Sequence, residues 1–363
     1  MAVRLEHVET LTLARGRQAF TIHREYLLFA PPGWQRWWLE SQKKYSRGLP
    51  LVVSLHGAGM DHHLMAYQWQ YDSAWRDDLD HQFFVLVPGG TLTLDGLSST
   101  DEPFRPFDEK LIWNGSDTAV ETSRDDVALV QRMVDHARGL LSRASPDPSL
   151  SVWDEERMFL HGYSNGTGLA HRLVAEEPGR WAAIWAKSGM MARRLGTTGT
   201  PAVFGPDPAL VAGFGISCFV HHGLLDTTIP YGADQPPGTF LVGPGELVDL
   251  TAGGLSVAAA REIAFHYGIV PDCVERYRRY NHLRRSDDAT KEPSVGEDES
   301  SLRWVHPLGS LLNDGTNPQV VEYRDPAMGH TNLNPPANGA GGYGSFSEVW
   351  DFFRTHPRVA RPT

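Results

Sequence analysis

Hydrophobic and polar positions change rhythm along this chain. Over the first thirty residues they alternate, as in Glu9-Thr10-Leu11-Thr12-Leu13, and again after Ala14-Arg15-Gly16-Arg17 in Phe20-Thr21-Ile22 and Tyr26-Leu27-Leu28-Phe29, ending at Pro31-Pro32-Gly33. A period of two predicts antiparallel strands joined by a glycine-containing turn. Beyond that point short, largely apolar runs without alternation take over, at 49–55, 83–87, 158–160, 181–186, 216–220 and 320–323. Strands without alternation are covered on both faces, the condition of a mostly parallel sheet. Helical periodicity fills the gaps. Val127, Val130, Val134, Leu140 and Leu141 follow Ser123 and Asp126; Leu169, Ala170, Leu173 and Val174 form a second set; 257–267 is a third, with Gly268 and Pro271 as its stop. Phe346, Val349, Trp350 and Phe353 form the last, opened by the capping box Ser345 to Glu348. Strands alternating with helices predict an α/β protein: a mostly parallel, doubly wound sheet with helices on both faces and N-terminal antiparallel strands.

Length and composition narrow the classes. At 363 residues with 41% hydrophobic and 21% charged side chains, the chain buries a sizeable core and is neither disordered nor fibrous. The 44 acidic against 33 basic residues give a net charge of -11, a surface that repels phosphate backbones, so no nucleic-acid partner is expected. No apolar run approaches the length of a membrane span, so no membrane partner is expected, and the mixed polarity of residues 1–18 is unlike a secretory signal. A cytoplasmic location is the expectation, or a secreted one if a leader has been removed. Cys218 and Cys273 are read as two buried thiols, with a single bridge as the alternative. Three stretches, near 91–114, 232–254 and 284–301, resist the strand and helix pattern and are read as insertions in one domain spanning 1–363; the last is polar, charge-dense and read as exposed.

Candidate chemistry centres on Gly162-Tyr163-Ser164-Asn165-Gly166. A G-x-S-x-G sequence between a strand and a helix puts serine on a strained turn where neighbouring side chains would collide. A serine hydroxyl needs a base, and the base needs a carboxylate to orient it. Asp226 lies just past the apolar run ending at Val220, with Asp234 and Asp325 as rivals; His330 falls between the last strand and the last helix, where the base belongs. An oxyanion hole needs two backbone N–H donors, for which Asn165 and Ala58, the latter within His56-Gly57-Ala58-Gly59, are the candidates. Trp69, Tyr71, Trp113, Tyr163 and Tyr231 are candidate substrate contacts, with core packing as the competing role for aromatics at helical spacing. The pairs His62-His63 and His221-His222 invite a metal reading. Adjacent histidines on a strand face opposite ways and no acidic or thiol ligand is suitably spaced, so no metal and no cofactor are expected.

The four pieces His56-Gly57-Ala58-Gly59, the Ser164 pentapeptide, His222-Gly223 with Asp226, Pro230 and Tyr231, and Gly329-His330 together resemble the α/β-hydrolase superfamily. Ser164-Asn165-Gly166, Arg172-Leu173, Pro178 and Trp113-Asn114 followed by Asp125-Asp126-Val127 are similar to its polyhydroxybutyrate depolymerase and feruloyl esterase-like branch. The resemblance, from about residue 25 to residue 355, implies an α/β-hydrolase fold and a serine esterase with a Ser164, Asp226, His330 triad. Members of that branch are commonly exported and carry several cysteines; the two found here favour a small or medium-sized ester. Lactone or amide hydrolysis, acyl transfer, and a non-catalytic binding protein remain open alternatives, because one scaffold hosts all of them.

Overall fold

The computed structural model describes backbone and side chains for residues 24–90, 113, 126–177, 179–189, 215–223, 226, 229, 270, 273–274, 277, 280–281, 319–323 and 346–358, and the backbone alone of the remaining strand residues. Ten strands among the described residues form one sheet: β1 (Ala2–Leu13), β2 (Gly16–Phe29), β3 (Leu49–Leu55), β4 (Phe84–Pro88), β5 (Trp153–Tyr163), β6 (Ala183–Lys187), β7 (Ser217–Gly223), β8 (Thr290–Pro293), β9 (Leu302–Val305) and β10 (Val320–Asp325). Their order is β1-β2-β4-β3-β5-β6-β7-β10-β9-β8. The six strands from β4 to β10 are mutually parallel, while the β1/β2 hairpin and the β9/β8 pair are antiparallel additions at the two edges.

Every residue of β3, β4, β6 and β7 is buried, because both faces of the sheet are covered. Alternate residues of each strand feed two separate cores. On one face Leu51, Val53, Leu160, Ile184 and Val220 pack against helices α1 (Trp34–Tyr45), α3 (Asp126–Ala144) and α4 (Asn165–Glu176). On the other, Val52, Val85, Phe159, Trp185 and Phe219 meet α2 (His62–Trp69) and α5 (Phe346–Arg354). The apolar stripes read from sequence are those that face the sheet. Phe83 stacks on Trp350 at 3.9 Å and Phe159 on Phe353 at 4.8 Å, which fixes α5 across the strands that flank the centre.

Regular structure also occurs beyond the expected elements. The helical residues Val270, Cys273, Val274, Tyr277 and Tyr280 lie in the first core. The 257–267 helix lies outside the described residues. The segment 284–301 contains β8, an edge strand ending in Pro293, where proline costs no ladder bond if its nitrogen faces outward. Short two-stranded ribbons also occupy part of the other two insertions, pairing Thr91–Leu92 with Leu111–Ile112 and Thr239–Gly243 with Glu246–Asp249. Cys218 and Cys273 are buried thiols with no disulfide between them, and burial pushes the Cys218 thiol well up. No helix among the described residues is long and apolar enough to cross a membrane.

Strand order positions the site. The chain leaves β3 for β4 on one side, then crosses to β5 on the other side of β3 and continues outward through β6 and β7. The connections after β3 and β5 therefore diverge, opening a crevice at their carboxyl ends. Register makes those ends level: Leu55 pairs with Gly162, Tyr163 with Lys187, Lys187 with His221, and Gly223 with Asp325.

Candidate active site

Ser164 occupies the turn between β5 and α4 with φ 50 and ψ -119, a conformation L residues rarely adopt. Its surroundings hold it there. The Ser164 N–H donates to Lys187 O at 2.9 Å, the Ser164 carbonyl accepts Thr167 N–H at 3.0 Å, and Thr167 Oγ1 donates to the same Lys187 carbonyl at 3.0 Å. The flanking glycines are imposed by close approach. A Cβ at Gly162 would lie 2.6 Å from Thr167 Cα, and one at Gly166 would run into the backbone carbonyls of Leu55 and His56. The serine is thus wedged between the end of β3 and the end of β6 by main-chain contacts that no side chain can relieve.

The loop after β3 is tied to this turn through Trp113. Its indole Nε1–H donates to His56 O at 2.9 Å, and the two rings lie 4.7 Å apart. The Asn165 side chain grips the Trp113 main chain: Oδ1 accepts the Trp113 N–H at 2.6 Å and Nδ2 donates to its carbonyl at 3.3 Å. His56 extends the tie to the end of β4, donating from Nδ1 to Gly57 O at 2.8 Å and accepting Gly90 N–H on Nε2 at 2.9 Å. That pattern requires a neutral ring, and burial lowers the His56 pKa to about 4. In the loop itself Met60 N–H bonds Gly57 O at 3.2 Å, closing a turn that leaves Ala58 exposed. The Asn165 N–H lies in the first turn of α4, which intrahelical bonding leaves open. Both expected donors therefore lie beside the crevice.

Asp226 is buried just past β7, next to the crevice. Its Oδ1 accepts Ile229 N–H at 2.8 Å, while Oδ2 lies 3.4 Å from His222 Nε2, which donates to Ile229 O at 2.7 Å. Those bonds tie Asp226 to Ile229 and to His222 at the end of β7. Burial raises the Tyr163 phenol pKa, and the nearby Asp226 charge adds to it, so the carboxylate is electrostatically close to the residue preceding Ser164. Tyr163 is 4% exposed and its ring packs against Gly57. His330, Tyr231 and the rival acid Asp234 lie outside the described residues; of Asp325 only the backbone is described, at the end of β10 beside Gly223.

The other aromatic candidates are buried: Trp69, Tyr71 and Trp113 pack in the cores, the competing role for each. Tyr71 O–H donates to Ser54 Oγ at 2.8 Å, Ser54 passes a hydrogen bond of 2.8 Å to His161 Nδ1, and Trp69 sets its edge against the His161 ring at 4.3 Å. Beyond them lies a buried basic group invisible in the sequence: Lys187 Nζ stands 5.0 Å from the centre of the Trp69 ring. Burial, then the Lys187 charge, lowers His161 to about 3 and His221 well below its ordinary value. The metal argument also changes. His62 and His63 begin a helix rather than a strand, and an acidic partner, Glu25, arrives from β2.

The strand order together with a strained serine turn following β5 defines an α/β-hydrolase fold. Among solved structures the chain is similar to an acetyl xylan esterase from Aspergillus awamori (12% identity, 91% of this chain and 94% of that one, TM-score 0.48). A thermostable esterase (15%, 97% and 63%, TM-score 0.38) and an S-formylglutathione hydrolase from Agrobacterium tumefaciens (14%, 52% and 58%, TM-score 0.30) are others. No protein-family model and no curated protein sequence matches the chain.

Proposed function

We propose that the protein hydrolyses carboxylic esters through an acyl-enzyme on Ser164. The observation that carries this reading is the strained Ser164 conformation at the carboxyl edge of the sheet, held by Lys187 O and by glycines that admit no substitute. A strained side-chain-bearing residue persists only where its surroundings over-determine it, and strain of this kind gathers at active sites. In this reading Ser164 Oγ attacks the ester carbonyl. His330 takes its proton, hands it to the leaving alcohol and then activates the water that releases the acid. Asp226 orients that imidazole and stabilises it when charged. The N–H groups of Asn165 and Ala58 receive the developing oxyanion. The motifs around Ser164 and Asp226 resemble those of the polyhydroxybutyrate depolymerase and feruloyl esterase-like branch, which supports a small or medium-sized ester as the substrate.

Ser164→Ala is expected to abolish turnover of a p-nitrophenyl ester and labelling by a fluorophosphonate probe. Wild-type protein that neither labels at Ser164 nor cleaves short-chain esters, while folded by circular dichroism, would refute the proposal.

A further inference from the structure

Glu25 on β2 and two histidines at the start of α2 meet outside the crevice. His62 Nε2 and His63 Nε2 each lie 3.2 Å from the same oxygen, Glu25 Oε1, and the three ligand atoms all fall within 4.8 Å of one another. The imidazole rings are 4.3 Å apart and tilted by 39°. With Zn–N and Zn–O bonds of about 2.0–2.1 Å, the edge of a coordination tetrahedron is about 3.3 Å. Both nitrogen-to-oxygen separations match that edge. The geometry points to a binding site for a first-row divalent transition-metal ion such as Zn2+, held by Glu25, His62 and His63 with water in the fourth position.

The chemistry suits such an ion. Two imidazoles and one carboxylate are a borderline donor set that zinc favours over calcium or magnesium. The ligands differ in how they are fixed. His62 is 8% exposed and held among its neighbours, whereas the His63 side chain is 58% exposed, so solvent reaches the site from that side. Asp61 Oδ1 caps α2 through Leu64 N–H at 2.6 Å, so the helix start that carries both histidines is firmly formed.

The position links the site to the loop after β3. Residue 61 follows that loop directly, Glu25 O accepts Gly89 N–H at 2.8 Å, and the next N–H, of Gly90, bonds His56 Nε2. An ion bridging Glu25 to α2 therefore braces both supports of the loop without touching Ser164.

The test is titration of chelator-stripped full-length protein with Co2+, followed by displacement with Zn2+. One equivalent of Co2+ is expected to give the visible absorption of a tetrahedral site, and one equivalent of Zn2+ to abolish it and raise the melting temperature. His63→Ala, an exposed position that leaves the fold intact, is expected to weaken binding at least tenfold and to remove the Zn2+-dependent melting shift. Absence of saturable binding overturns the inference, as does stoichiometric binding unchanged in both His63→Ala and Glu25→Ala, which places the ion elsewhere. A Glu25→Ala destabilisation that is the same with and without Zn2+, with no Zn2+-dependent shift in wild type, also overturns it. None of these readouts depends on ester hydrolysis.

Discussion

The grip of Asn165 on Trp113 is the most informative place to perturb the site. Asn165→Ala removes both side-chain bonds to the Trp113 main chain while keeping the backbone N–H of residue 165, the group assigned to the oxyanion. Trp113 is fully buried, so its N–H and carbonyl cannot recover these bonds from water. A buried group left unsatisfied costs about 1–3 kcal/mol. The 2.6 Å bond to the N–H carries most of that and the 3.3 Å bond to the carbonyl less, for about 2–3 kcal/mol together. Should all of it fall on the alignment of the loop after β3 with Ser164, kcat/KM drops by about 30-fold to 150-fold, since each 1.4 kcal/mol is about tenfold. Part will appear as lost stability instead, so a fall of at least about tenfold with a melting decrease of a few degrees is expected. The assay is steady-state p-nitrophenyl ester hydrolysis beside thermal unfolding. Asn165→Asp separates hydrogen bonding from packing: it keeps the acceptor for Trp113 N–H but sets an anionic oxygen against the Trp113 carbonyl, and should be no better than alanine. A kcat/KM within twofold of wild type and an unchanged melting temperature for Asn165→Ala would show that the clamp does not organise the site.

Gly166→Ala should yield little soluble, active protein, because the added methyl meets the backbone carbonyls of Leu55 and His56; native-like activity in a purified Gly166→Ala variant would refute the close approach. Trp350→Ala should cost about 3–5 kcal/mol in chemical denaturation, the range for truncating a fully buried tryptophan, here stacked on Phe83 and bonded from Nε1 to Asp80 O at 3.0 Å. Between pH 6.5 and about 4 an unfolded His56 is protonated while the folded one is not, so the unfolded state binds more protons and stability falls as pH falls through that window. The slope from this residue is at most about 1.4 kcal/mol per pH unit. His56→Gln, which retains an acceptor for Gly90 N–H, should flatten the curve; an unchanged slope in denaturant unfolding at pH 4.5, 5.5 and 7 would remove His56 as its source.

What the sequence disclosed tracks how local the governing interaction is. The turn at Ser164 was legible because its steric demand falls on Gly162 and Gly166, two residues away on either side. The apolar runs of β3, β4 and β7 were legible because burial on both faces is written into consecutive residues. Trp113 was visible only as an aromatic, since its meaning lies in Asn165 and His56, 52 and 57 positions away. The same distance hid Glu25 from His62, and reading the histidine pair as a strand put its rings on opposite faces when a helix start puts them side by side. β8 escaped because an edge strand needs neither alternation nor an apolar face, and Thr290–Pro293 has neither.

The contacts that sequence could not show share one location. Lys187 O holds the Ser164 turn from β6, His56 O receives Trp113 from beyond β4, and Asp226 is tied to Ile229 past β7. Each uses a main-chain group near the ends of the strands, and for Lys187 and His56 that group is a carbonyl with no further ladder partner. Carbonyls at the carboxyl edge of the sheet therefore take their donors from residues outside the ladder, beside the crevice where the connections from β3 and β5 diverge. Trp113, Thr167 and Ser164 supply the donors for these carbonyls. In the proposed mechanism the loop after β3 and the first turn of α4 together receive the oxyanion, and the Asn165 clamp on Trp113 is what ties the one to the other.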